Sequence, residues 1–173
     1  MFVQEICKKD DEYYTPDYAV RPIIKYLKPD STIWCPFDTE ESEFVKQFRT
    51  AGFDVIATHI WNGQDFFNMQ LPDCDYIISN PPYSKKLKIL VKLFEIGVPW
   101  AMLISVPGMF DGKTRYNIMK DNPVEIMAFD SRIQYISGVD DTLVSPPFAS
   151  IYLCSGILPK QIVFEELHKP KED

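Results

Sequence analysis

The stretch Asp-Tyr-Ile-Ile-Ser-Asn-Pro-Pro-Tyr, residues 75–83, places a short apolar run directly before two prolines. Residues 76–79 lack strict alternation of apolar and polar side chains, which is typical of a strand that is buried on both faces of a parallel sheet. Because ligands bind at the carboxyl ends of strands in an open parallel sheet, we expect a site at residues 80–83.

Apolar runs of the same character lie on both sides of this stretch, and helix-like segments separate them. The strand-like runs are 32–35, 55–57 and 101–106, and the helical patterns are 16–27, 41–51 and 85–96. Thr15 and Ser84 are the residue types that cap helix N-termini, so we expect them to cap the first and third helix. This alternation predicts an α/β fold, with helices flanking a mainly parallel sheet.

The pattern changes after Pro107. Residues 108–122 are polar and irregular, which predicts a surface loop, and strand-like runs follow at 125–129, 150–154 and 161–164. Gly156 and Pro159 lie between the last two runs, so we expect an antiparallel hairpin at the sheet edge. The length of 173 residues predicts a single domain over residues 1–173.

Composition excludes several classes of protein. The chain has 18 Lys and Arg against 25 Asp and Glu, a net charge of −7, which counts against a protein that coats nucleic acid electrostatically. No apolar run is long enough for a transmembrane helix, and the N-terminus has no apolar signal-peptide core. The four cysteines are widely separated, so we expect no metal site and a reduced, cytoplasmic protein.

The residues after the central strand offer two hydrogen-bond acceptors and a flat surface. The amide oxygen of Asn80 and the carbonyl of Pro81 can together hold both hydrogens of a planar NH₂ group. Two prolines restrict the backbone, and the ring of Tyr83 can stack on an aromatic ligand. The alternative is a strand-terminating turn in which proline only punctuates the chain.

This Asn-Pro-Pro-Tyr segment resembles that of the class I S-adenosylmethionine-dependent methyltransferases that modify amino groups, most closely the N6-adenine DNA methyltransferases. Tyr14-Thr15-Pro16 is similar to a segment that precedes the first strand in many members, and the resemblance covers roughly residues 13–106. It implies a Rossmann-like methyltransferase fold and direct methyl transfer to an exocyclic amino group, with S-adenosylhomocysteine as the product. The catalytic residues would be Asn80, Pro81, Pro82 and Tyr83.

The resemblance also implies a set of residues for S-adenosylmethionine. Tyr14, Thr15 and Pro16 belong to it, and Pro36 and Phe37 match the family's loop after the first strand, although the glycines of that loop are absent here. Asp38 would bond the methionine ammonium, or else belongs to a solvated acidic helix start. His59 would donate to the ribose, or else is a packed residue. Asp65 would bind the adenine and Phe66 stack on it, or else this segment is a turn followed by core phenylalanines. Phe67 is expected in the core.

The substrate implied is nucleic acid, most simply DNA, bound transiently. Lys85 and Lys86 open a lysine-rich segment beside Asn80, which is either a phosphate contact or an ordinary solvated helix face. Phe148, after Ser145-Pro146-Pro147, would line the site of the target base. No separate target-recognition domain is expected in the chain. We therefore expect limited sequence selectivity, or selectivity that a short insertion, a homodimer or a partner subunit supplies.

Two other functions fit the same residues. Related motifs occur in enzymes that methylate RNA bases or protein glutamine amides, because these substrates also present NH₂ on a planar group. A noncatalytic binding module, a methyltransferase fold that has lost its cofactor, would explain the loop without glycines.

Overall fold

The computed structural model describes residues 13–138 and 140–170. Its strands are β1 (Tyr13–Tyr14), β2 (Thr32–Cys35), β3 (Asp54–Ala57), β4 (Tyr76–Ser79), β5 (Trp100–Ser105), β6 (Glu125–Phe129), β7 (Tyr135–Ser137), β8 (Leu143–Val144), β9 (Ser150–Ser155) and β10 (Ile162–Glu165). Its helices are α1 (Asp17–Ile24), α2 (Glu43–Thr50), α3 (Lys86–Ile96) and α4 (Lys113–Asp121). No helix among these residues combines the length and the apolar character needed to span a bilayer.

Seven strands form the main sheet, in the order β10-β6-β9-β5-β4-β2-β3. Every neighbouring pair in it is parallel except the two that involve β9, which runs antiparallel to both β5 and β6. The mainly parallel sheet predicted from the sequence is confirmed.

Helices cover both faces of this sheet because its central strands are apolar on both sides. In β4, Ile78 packs in one core cluster with residues of α1 and α2, whereas Ile77 packs in a second cluster with residues of α3 and α4. All four residues of β4 are buried, as the lack of alternation at 76–79 predicts.

A second, small antiparallel sheet consists of β1, β7 and β8. Tyr13 pairs with Ser137 and Tyr14 with Ile136, so a segment before α1 is held by a segment more than a hundred positions later in the chain. The sequence analysis did not predict these strands, because runs of two or three residues carry too little periodicity to be recognised.

The predicted hairpin of residues 150–154 and 161–164 is wrong in its pairing. Both segments are strands, but β9 lies between β5 and β6, and β10 pairs in parallel with β6. Side chains place β10 there: Val163 enters the core, and Glu165 binds Lys25 Nζ at 2.6 Å and the hydroxyl of Tyr26. The turn residues between the two strands therefore begin a crossover to the sheet edge.

Three local predictions are also corrected. Residues 108–122 were expected to form a loop but include α4. The helix buries only Met119, so its sequence shows little of the apolar periodicity by which a helix is recognised. The N-cap of α1 is Pro16, so Thr15 is not a cap and Pro16 is not the first helical residue. Ser84 lies in a 3₁₀ turn, Tyr83–Lys85, and Lys85 takes the N-cap position of α3.

Candidate active site

A cleft of about 640 Å³ opens where β2, β3 and β4 end, and the small sheet forms part of its wall. Most of the site residues predicted from the sequence line this cleft: Tyr14, Thr15, Pro36, Phe37, Asp38, His59, Asp65, Phe66, Asn80, Pro81, Pro82, Tyr83 and Lys85. Three others do not belong to the lining, namely Pro16, Lys86 and Phe148. The two segments that suggested the family, 14–16 and 80–83, therefore contribute to one site.

Asn80 follows β4 directly and is linked to the segment before α1. Its amide nitrogen donates to Thr15 Oγ1 at 3.1 Å. Its amide oxygen Oδ1 is buried and has no hydrogen-bond partner among the described residues. A buried acceptor without a partner costs about 1–3 kcal/mol, so an acceptor held in this state at a cleft points to a ligand that donates to it.

Asp38 is a buried carboxyl group at the carboxyl end of β2, with 7% of its surface exposed. Its Oδ2 accepts a hydrogen bond from Ser79 Oγ at the end of β4. Burial raises the pKa of Asp38 to about 6, although hydrogen bonds from Ser79 and Ser42 act in the opposite direction. A carboxylate under this desolvation gains from a cationic partner in the cleft.

The loop after β2 is fixed by Thr58 rather than shaped by glycine. Thr58 donates its backbone N–H to Cys35 O at 3.1 Å and accepts from Asp38 N at 3.2 Å. Its hydroxyl also accepts from Trp34 Nε1 at 2.9 Å. These bonds extend the pairing of β2 with β3 past the strand ends, so the loop that carries Asp38 is held at two points.

His59 follows this pairing at the end of β3. Its Nδ1 accepts from the backbone N–H of Trp61 at 3.2 Å, and its ring packs edge-to-face against the Trp61 ring at 4.5 Å. Burial lowers the pKa of His59, which favours the neutral imidazole. With Nδ1 used as an acceptor, the ring proton lies on Nε2, which can donate to a ligand.

The two phenylalanines after Asp65 both line the cleft, and Phe66 is the more deeply buried of the two. Phe66 is only 2% exposed and packs against Trp34 and Phe37, at centroid distances of 5.5 and 5.1 Å. Phe67, expected in the core, is only partly buried and also lines the cleft. Asp65 Oδ1 accepts from the backbone N–H of Phe67 at 3.0 Å and thereby fixes this turn.

Tyr83, three residues after Asn80, provides an aromatic surface in the same cleft. Its ring is partly buried and packs edge-to-face against Phe148 at 6.2 Å. Burial raises the pKa of the Tyr83 hydroxyl, which keeps it protonated at neutral pH. Phe148 therefore contacts Tyr83 but does not itself belong to the cleft lining.

The lysines of 85–92 have different roles. Lys85 lines the cleft, and its ammonium group lies 5.9 Å from the centre of the Phe67 ring. Lys86 Nζ donates to Ser105 O at 3.2 Å and to Pro107 O at 3.3 Å, and Lys92 Nζ donates to Phe66 O at 2.6 Å. Lys86 and Lys92 therefore link α3 to backbone carbonyls of other segments. The ammonium group of Lys85 is at the cleft, and Lys88 is exposed.

Replacing Lys86 with methionine is expected to lower the free energy of unfolding by about 1–3 kcal/mol, because carbonyls at the end of β5 lose a charged donor. Urea unfolding of the variant measures this loss. Lys88→Met, which removes an exposed charge from the same helix, is the matched control and is expected to change stability by less than about 0.5 kcal/mol. Equal stability of the two variants would contradict a structural role for Lys86.

Several cleft residues were not predicted from the sequence. They are Tyr13, Trp61, Ile136 and Asp141, which join Phe67 and the acidic residues Glu41 and Glu43. Tyr13 is adjacent to the Tyr-Thr-Pro segment, which could have drawn attention to it. Ile136 and Asp141 enter the cleft only through the small sheet, so no local signal marks them.

No group of histidine, cysteine and carboxylate side chains within the described residues is arranged to hold a metal ion. No protein-family model matches the chain, and no curated protein matches it. Among solved structures, the chain is similar to precorrin-6y C5,15-methyltransferase from Geobacter metallireducens GS-15, with 14% identity and a TM-score of 0.42. The match covers 86% of this chain and 96% of that chain.

Proposed function

We propose that the protein is an S-adenosylmethionine-dependent methyltransferase that acts on a planar exocyclic amino group, most specifically N6 of adenine in DNA. The observation that carries this proposal is the buried Oδ1 of Asn80, which has no partner in the described chain and lies beside Pro81 at the cleft. An NH₂ donor on a flat ligand supplies the hydrogen bond that this acceptor lacks.

The charged residues of the cleft fit a cofactor that carries ammonium and sulfonium groups. Among the described residues, five carboxyl groups line the cleft (Asp38, Glu41, Glu43, Asp65 and Asp141), against one lysine, Lys85. Asp38, the most deeply buried of them, would hold the ammonium group, and His59 Nε2 would donate to a ribose hydroxyl. The volume of about 640 Å³ lies within the range of cofactor sites, with room for part of a substrate.

When bound, the cofactor would supply an electrophilic methyl group: its carbon–sulfur bond would break as the nitrogen–carbon bond forms, and the methylated nitrogen would release one proton to water. Asn80 Oδ1 and the carbonyl oxygen of Pro81 would accept the two N–H groups of the substrate and favour a tetrahedral amino nitrogen, whose lone pair then points toward the methyl group. Tyr83 would hold the ring of the base by stacking. Alignment of this kind lowers the barrier without a covalent intermediate on the enzyme, so a cysteine nucleophile is not needed.

DNA is the proposed carrier of the base because two lysines lie close to Asn80 in the chain, Lys85 in the cleft lining and the exposed Lys88 in α3. Both would contact phosphates, while the cleft, in which carboxyl groups outnumber lysine among the described residues, receives the uncharged base. A base in duplex DNA would have to leave the helix, at a cost of a few kcal/mol that stacking on Tyr83 would offset.

The test is methyl transfer from labelled S-adenosylmethionine to duplex DNA, single-stranded DNA, RNA and protein, followed by identification of the modified nucleoside or amino acid. We expect N6-methyladenine in DNA and saturable binding of S-adenosylhomocysteine by calorimetry. Label found only in RNA, or only on glutamine in protein, would show that DNA is not the substrate and would identify RNA or protein as the substrate instead. A folded sample that binds neither form of the cofactor would overturn the proposed activity and favour a noncatalytic module.

A further inference from the structure

The outer edge of the main sheet, at β10, exposes apolar side chains on one face. Val163 is 8% exposed and packs in the core cluster that includes α1, whereas Ile162 is 49% and Phe164 is 81% exposed. These two side chains lie on the same face because residues two apart in a strand share a face. Ile126 and Ala128 of the neighbouring strand are only partly buried and continue this surface inward.

On this edge, β10 has backbone hydrogen-bonding groups that pair with no other residue in the described part of the chain. Ile126 N donates to Gln161 O at 2.7 Å, and Asp130 N donates to Glu165 O at 3.2 Å. The parallel register, with Ile162 opposite Ile126, directs the odd-numbered residues of β10 toward β6. The N–H and C=O groups of Ile162 and Phe164 therefore point away from the sheet, and no other described strand lies beyond β10.

Exposed edge strands are usually protected against pairing by short length, by proline, by charged side chains, by a bulge or by a covering segment. The sequence Ile-Val-Phe-Glu of β10 contains no proline or lysine. Exposed charges of opposite sign lie just beyond its two ends, Lys160 before it and Glu166 after it. In an antiparallel arrangement of two such strands, each Lys160 would lie near Glu166 of the second copy.

We propose that the chain forms a homodimer in which β10 pairs antiparallel with β10 of a second copy, so that one sheet runs through both subunits. With Val163 on the two-fold axis, Ile162 of each copy lies opposite Phe164 of the other, and the outward backbone groups pair. The dimer leaves both clefts open, because β10 is at the opposite edge of the sheet from β2 and β3.

Sedimentation equilibrium at micromolar concentrations tests the dimer. We expect the unmodified protein to be a dimer and Phe164→Lys to be a monomer with unchanged circular dichroism. The matched control is Leu143→Lys, which places the same charge on another exposed strand residue, 66% exposed, and should remain dimeric. A monomeric unmodified protein, or a dimer that survives Phe164→Lys, would overturn the proposal.

Charge reversal tests the antiparallel arrangement. Lys160→Glu and Glu166→Lys should each weaken dimerisation by about tenfold, because each places like charges together twice in the symmetric dimer. The double variant, Lys160→Glu with Glu166→Lys, restores opposite charges and should recover the original dissociation constant. A double variant that is as weak as either single variant would rule out this arrangement. These results do not depend on the proposed methyl transfer, since the measurement uses no cofactor or substrate.

Discussion

Replacing Asn80 with alanine is expected to reduce methyl transfer by at least about 100-fold, because the reacting amino group loses an acceptor positioned in advance by the protein. The effect should fall on the rate of the chemical step, measured as single-turnover transfer from labelled S-adenosylmethionine. Affinity for S-adenosylhomocysteine should change little, since the proposed cofactor contacts are made by Asp38 and His59. Undiminished transfer in this variant would remove Asn80 from the mechanism.

Thr15→Val is the matched control for this experiment. Thr15 Oγ1 accepts from the amide nitrogen of Asn80, so valine removes the anchor of the side chain and leaves its Oδ1 in place. Loss of one neutral hydrogen bond is worth about 0.5–1.5 kcal/mol, which predicts a decrease in rate of about two- to tenfold. A loss equal to that of Asn80→Ala would show that the position of the amide, and not its oxygen alone, limits the reaction.

The positions of several strands of the main sheet could be predicted from the sequence, because a strand buried on both faces appears as a short apolar run. The bounds of β2, β4 and β6 agree with the apolar runs at 32–35, 76–79 and 125–129. Pairing could not be predicted in the same way, because it depends on contacts between distant residues. The place of β10 beside β6 depends on Val163 in the core and on the contacts of Glu165 with Lys25 and Tyr26. The turn residues before β10 do not predict these long-range contacts.

In the candidate site, too, the positions of residues in the fold could be predicted, but their contacts could not. Residues that follow strands, such as Asp38, His59 and Asn80, could be placed at one sheet edge because parallel strands bring their carboxyl ends together. The orientation of a side chain could not be predicted: Phe67, expected in the core, also lines the cleft, and Lys86 binds carbonyls of its own chain. These outcomes depend on packing within a few ångströms.

Asp38→Asn is expected to stabilise the protein at pH 7.5 by up to about 3 kcal/mol and to weaken cofactor binding. The carboxyl group has its pKa raised by burial from 3.8 to about 6 in the folded protein, so the folded state binds a proton more tightly than the unfolded chain. A difference of about two pKa units corresponds to about 3 kcal/mol, by which ionised Asp38 destabilises the fold above pH 6. Asparagine keeps an acceptor for Ser79 and removes the buried charge.

The sign of this effect follows from the direction of the pKa shift. As the pH falls from 7.5 through 6 toward 4, Asp38 takes up its proton in the folded state first, and the stability difference between the variant and the unmodified protein should shrink to near zero. Urea unfolding at several pH values measures that difference, and Glu41→Gln, which removes an exposed carboxylate of the same cleft, is the matched control. Calorimetry with S-adenosylhomocysteine on the same two variants compares how much Asp38 and Glu41 each contribute to cofactor affinity. A contact between Asp38 and the ammonium group of the cofactor would explain why a buried carboxylate that destabilises the fold is present in the cleft. If Asp38→Asn were both more stable and equally able to bind the cofactor, the ammonium contact would have to be assigned to another residue.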